Sequence, residues 1–112
     1  MRRGEVWWAS LGEPRGSGPG LRRPVVIVQA DDFNESAIRT VLCVAVTSNL
    51  RLGEAPGNVR LSRRASGLTK ESVANVSQVI TVDKRFLTQR AGRLASAILR
   101  DIDTGLRLVL AL

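Results

Sequence analysis

The 112-residue chain has no histidine, no tyrosine and a single cysteine. Without histidine it lacks the commonest general base of enzymes and the commonest zinc ligand. One cysteine can neither close an internal disulfide nor build a cysteine-rich metal site. Cys43 lies in the apolar run VLCVAV and reads as buried filler in a reducing cytoplasm. No apolar run approaches the length of a membrane span, and the opening MRRGEVWWASLG lacks the apolar core of a secretory signal. The GxxxxGK[ST] phosphate loop is absent, which argues against ordinary ATP or GTP hydrolysis. No Ser-His-Asp set occurs. Glycines at 16, 18 and 20 look superficially like a phosphate cradle. A strand pattern follows them rather than a helix, which argues against a dinucleotide site.

Positive charge is abundant. Seventeen Lys and Arg stand against ten Asp and Glu, a net charge of +7, and 15 of the cations are arginine. A fold this small with that excess attracts polyanions, nucleic acid first among them. A general solubility charge is the competing reading. Arginine offers phosphate a planar, permanently charged fork, although a base-composition bias in the genome also enriches arginine over lysine.

Periodicity predicts one domain spanning 1–112, mainly β with a C-terminal helix. EVWWASL (5–11) alternates as a first strand. GEPRGSGPGLR (12–22), rich in glycine and proline, is a long loop of the kind that often carries function. PVVIVQ (24–29) is a buried strand with Pro24 at its first position, and RTVLCVAVT (39–47) is a second core strand. DDFNES is a turn with room for one helical turn, LRLGEAPG a loop, NVRLS a short strand and SRRASGLTKE a polar connector. SVANVSQVITV divides into two strand-like pieces near Ser77 and Gln78, and KRFLTQRAGRL is a turn region with a possible short strand. In 96–111, Ile98, Leu99, Ile102, Leu106, Val109 and Leu110 recur at helical steps and form one apolar stripe. Ser96 is the nearest capping candidate. Short strands plus a terminal helix indicate a strongly bent sheet or partly open barrel with the helix packed on it.

The remaining chemistry is an arginine-rich mouth with hydroxyls and amides, for which phosphate is the natural target. RNA carries its own nucleophile, the 2′-OH. Cleavage without metal or cofactor then requires alignment, removal of a proton, stabilisation of the phosphorane and protonation of the leaving 5′-oxygen. The products are a 2′,3′-cyclic phosphate and a 5′-OH. Arginine is a poor proton acceptor, so the base is the weak point of this scheme. Trp7 and Trp8 point to opposite faces of a strand. One fills the core, and the other stacks on a base or joins a subunit contact.

The order RGEVWWASL, a Gly-rich loop with Gly16-Ser17, RPVVIV, VAVTSN, GL…SV…Q and a closing amphipathic helix resembles the MazF/PemK toxins of bacterial toxin–antitoxin pairs, from Arg3 to Leu112. The resemblance implies a small SH3-like barrel of the type shared with the gyrase poison CcdB, acting as a cytoplasmic homodimer. It also implies a metal-independent endoribonuclease that cuts single-stranded RNA at short sequences and is blocked by a cognate antitoxin, for which an acidic, partly disordered segment is expected. The family's catalytic arginine before proline falls on Arg23, its catalytic threonine on Thr47 and its loop serine on Ser17. Arg22 is a second phosphate contact or surface charge. Ser48, Asn49 and Gln78 suit base-edge reading or turn capping. Three carboxylates found in relatives are missing: the loop has Gly18 after Ser17, the first strand ends at Ser10, and Ser77 precedes Gln78. That leaves Arg23 and Thr47 sufficient, Glu13 taking part, or activity weak. Two alternatives stand beside the ribonuclease: a non-enzymatic poison on the same fold, and an RNA-binding barrel without chemistry.

Overall fold

The computed structural model describes residues 1–12 and 21–112. Six strands, β1 (Glu5–Ser10), β2 (Arg22–Ile27), β3 (Thr40–Thr47), β4 (Val59–Leu61), β5 (Ser72–Asp83) and β6 (Leu87–Arg93), form one antiparallel sheet in the order β4-β5-β3-β2-β1-β6. Among the described residues three α-helices, α1 (Asp31–Asn34), α2 (Arg63–Ser66) and α3 (Ser96–Leu110), and 3-10 turns at Leu50–Glu54 and Lys84–Phe86 connect or close them. No helix among the described residues is long and apolar enough to cross a membrane.

Alternation along the β-branched strands sends side chains to two cores. Val6, Val26, Val44, Val46, Leu61, Ala74, Val76 and Ile102 of α3 fill one. Ala9, Val25, Ile27, Val41, Cys43 and Val82 fill the other. The sheet curls around the first. Gly67, left-handed at φ 77°, ends α2 and lies so close to β6 that a Cβ there would overlap the Ala91 carbonyl. The segment after β4, at one edge of the sheet order, therefore touches β6 at the other edge, and the sheet is a curled half-barrel.

Several expectations are refined. The connector 62–71 holds α2, capped by the Ser62 hydroxyl, which accepts the Ala65 N–H at 3.0 Å. SVANVSQVITV is one strand, yet its pairing breaks where the division was read: Val44 faces Val79 while Ala45 faces Asn75, so 76–78 bulge. The short strand read within the turn region KRFLTQRAGRL is β6, a full seven-residue strand. Its length was hidden because its side chains are mostly solvated and show no apolar alternation. Pro24 is the third residue of β2, paired with Trp8 across β1. Ala95, not Ser96, is the helix N-cap, without a side-chain bond. Of the predicted stripe only Ile102 is buried and Ile98, Leu99 and Leu106 half-buried; Val109 and Leu110 are exposed. Gly105 is the other buried position on α3, where a Cβ would overlap the Gly57 carbonyl. Neither tryptophan is fully buried: Trp8 packs on the first core and Trp7 on the second.

Candidate nucleic-acid interface

The end of the sheet where β2 begins and β3 stops opens into a cleft of about 350 Å³. Trp8, Arg22, Arg23, Pro24, Val46, Thr47 and Ser48 line it from the strands, and Leu68, Thr69, Lys70 and Ser72 from the segment joining α2 to β5. That segment starts against β6 and ends at β5, so it spans the curl and forms the wall facing the strand ends. Pro24 has no amide hydrogen to give to a ladder, and the β2–β3 pairing begins only at Val25, which faces Ala45. Carried two residues further, that register sets Arg23 opposite Thr47. By strand alternation both then share the face of Val25 and Ala45, while Trp8, Arg22, Pro24 and Val46 share the other. The cleft at the strand ends thus draws on both faces of the sheet.

The Thr47 hydroxyl is oriented. Its Oγ1 accepts the backbone N–H of Asn49 at 3.1 Å, which leaves its O–H as a donor. Asn49 caps the following 3-10 turn by accepting the Arg51 N–H at 3.2 Å and does not line the cleft. Arg22 is held in place: its guanidinium carbon lies 4.4 Å from the centre of the Trp8 ring, and Nη2 donates to Gln89 Oε1 at 2.9 Å. The cation–π contact fixes the charge without neutralising it. Among the described residues, Arg23 and Lys70 have no carboxylate or hydrogen-bond partner for their charged ends, and no carboxylate lines the cleft. Gln78 stands on the β5 bulge, exposed, accepting from Asn75 Nδ2 at 3.2 Å, and lies outside the cleft lining. Ser17 and Glu13 lie outside the described residues. No group of three or more Cys, Asp or Glu is arranged for a metal among the described residues.

The cleft therefore brings together Arg22, Arg23, Thr47 and Ser48 from the sequence-derived set. It adds Trp8, Thr69, Lys70 and Ser72, of which sequence reasoning had singled out only the tryptophan. The hydroxyl–cation pair Thr69-Lys70, directly after the Gly67-Leu68 turn, was the available signal.

A family model described as the PemK-like, MazF-like toxin of type II toxin–antitoxin systems matches residues 2–110. The chain belongs to this family. It is 43% identical over 112 residues to a Mycobacterium tuberculosis protein named endoribonuclease MazF6, covering all of this chain and 98% of that one. A Mycobacterium bovis protein named endoribonuclease MazF2 matches to the same extent, at 43% over 112 residues. Among solved structures, a mycobacterial endoribonuclease in complex with its cognate antitoxin superposes with a TM-score of 0.80 at 26% identity, covering 100% of this chain and 96% of that one. A Deinococcus radiodurans MazE–MazF structure shares the fold at a TM-score of 0.81 and 18% identity, covering 100% and 96% of the two chains. In this MazF/PemK-family chain the Arg-Pro and Thr-Ser-Asn markers thus sit at two adjacent strand ends of one cleft.

Proposed function

We propose that the protein is an endoribonuclease toxin that cuts single-stranded RNA without metal, using the substrate's own 2′-oxygen, and that a cognate antitoxin neutralises it. The observation that carries this reading is the cleft holding Arg23 and Thr47 on neighbouring strand ends, with three cations and no carboxylate among its described lining residues. A phosphodiester seated there meets the Arg23 guanidinium, whose fork fits two non-bridging oxygens, and the Thr47 O–H, which donates to one of them. Both bonds strengthen as charge builds on the phosphorane, so they favour the transition state over the bound substrate. Arg22, backed by Trp8, holds an adjacent phosphate, and the Ser48, Thr69 and Ser72 hydroxyls offer further donors along the backbone. The products are a 2′,3′-cyclic phosphate and a 5′-OH.

The family names of the relatives support an antitoxin partner, and the cations of the cleft, without a carboxylate partner among the described residues, suit an acidic segment competing with RNA. The toxin is expected to act in the cytoplasm as a homodimer; light scattering of the purified protein tests the dimer. The decisive experiment incubates single-stranded RNA with the protein in EDTA and maps both ends of the fragments. Cyclic phosphate and 5′-OH termini are expected. RNA that is bound but emerges intact identifies a non-catalytic barrel, and growth arrest with intact cellular RNA identifies a poison of another target.

A further inference from the structure

The proton for the leaving oxygen has an identifiable source. In the cleavage step the 2′-O–P bond forms and the P–5′-O bond breaks. The 2′-hydroxyl proton passes to a solvent base, and the electron pair of the broken bond stays on the 5′-oxygen, which must be protonated to leave. Resting on the ribonuclease reading above, we infer that Lys70 is the general acid that gives its proton to the 5′-oxygen.

The lining of the cleft supplies the argument. Its proton-bearing side chains are Arg22, Arg23, Lys70, the indole of Trp8 and the hydroxyls of Thr47, Ser48, Thr69 and Ser72. A guanidinium, an indole and an aliphatic alcohol all surrender a proton far less readily than an alkylammonium. Arg22 is moreover occupied, stacked on Trp8 and bonded to Gln89. Lys70 is exposed, on a flexible four-carbon stem, and has no partner for its ammonium among the described residues. It belongs to the segment joining α2 to β5, which lines the cleft together with Arg23 and Thr47 and is separate from the β2 and β3 strand ends that carry them. An in-line displacement places attacking and leaving oxygens at opposite apices of the phosphorus. Equatorial oxygens held by Arg23 and Thr47 at the strand ends leave the departing 5′-oxygen to a group reaching in from the other wall. After the step Lys70 is a neutral amine, which water reprotonates.

Wild-type protein first maps a cut site. A short single-stranded RNA of that sequence is then made with the ordinary 5′-oxygen and, separately, with a bridging sulfur in its place, which leaves as a thiolate and needs no proton. Lys70→Ala and Lys70→Arg are expected to cut the ordinary link about 10²–10⁴-fold more slowly than wild type, and the sulfur link within about tenfold of it. The arginine variant keeps the charge, so it separates proton donation from phosphate attraction. Equal losses on the two links, or full activity of Lys70→Arg on the ordinary one, overturn the assignment while leaving the ribonuclease reading intact. Wild-type protein that cuts neither RNA overturns both.

Discussion

Two groups of cations are used in opposite ways. At the N-terminal corner three arginines meet carboxylates. Arg2 pairs with Asp31 and Glu35, Arg3 forks onto Asp103 of α3 while its Nε donates to the Val28 carbonyl at 2.8 Å, and Arg90 lies 3.3 Å from Glu5. In the cleft Arg22, Arg23 and Lys70 have no acidic partner among the described residues. The corner is a strut: its charge is spent joining the first turn, β2 and the last helix. Under the proposed function, the charge of the cleft is left for a phosphate brought from outside.

That contrast can be broken most forcefully from the cleft side. Arg23→Ala is expected to lower RNA cleavage by about 10³-fold while leaving the melting temperature unchanged. An active Arg23→Ala protein removes the contrast altogether. Thr47→Val, which keeps the shape and deletes the donor, is expected to cost about 10²-fold in cleavage rate. A loss much larger than that would mean that the hydroxyl does more than donate to the phosphorane. From the corner side, Arg3→Ala is expected to destabilise the fold by about 2 kcal/mol, roughly 8 °C in Tm, because the half-buried Asp103 loses a forked partner. Cleavage per folded molecule should not change.

The smallest effect is in acid. Burial of Glu5 opposes its ionisation, but the Trp7 indole, the Arg2 N–H and the Arg90 guanidinium outweigh that and hold its carboxyl below its ordinary value of 4.5. Asp31 is held below 3.8, first by the Arg3 backbone N–H and then by Asn34. A depressed folded-state value means stability that is fully present above the unfolded value and lost as pH falls through the folded one. The corner should therefore loosen below about pH 4.5. Glu5→Gln should melt lower than wild type at pH 7, with the gap narrowing toward pH 3. Thermal melts across that range check this, and a constant gap would show that Glu5 does not titrate with folding.

How much of this was readable from the chain differs element by element. β2 and β3 announce themselves because Val25–Ile27 and Cys43–Val46 are buried on both faces, leaving short apolar runs. β6 does not, because its side chains are mostly solvated and it gains its place by backbone pairing to β1. The bulge in β5 was visible as a polar interruption at Ser77-Gln78, but not the continuity of the strand through it. The helix stripe was right in its middle and wrong at its end, since Val109 and Leu110 lie beyond the reach of the sheet. In the cleft, Arg23 and Thr47 were legible from the Arg-Pro and Thr-Ser-Asn segments. Lys70 was not: the Thr69-Lys70 pair after the Gly67-Leu68 turn is a weak signal, and only the fold brings that connector to the cleft.

By itself the sequence determined the inventory: no imidazole, a single cysteine, an excess of arginine, and the β-branched runs that must become strands. These are properties of side chains and their immediate neighbours, which require no knowledge of the fold. Only the tertiary structure decided which cations meet carboxylates and which do not, and that the segment after α2 crosses to face the start of β2. Such pairings join residues up to 100 positions apart, as Arg3 and Asp103 are. They depend on how far the sheet curls, a quantity set by the packing of the whole core rather than by any one stretch of chain.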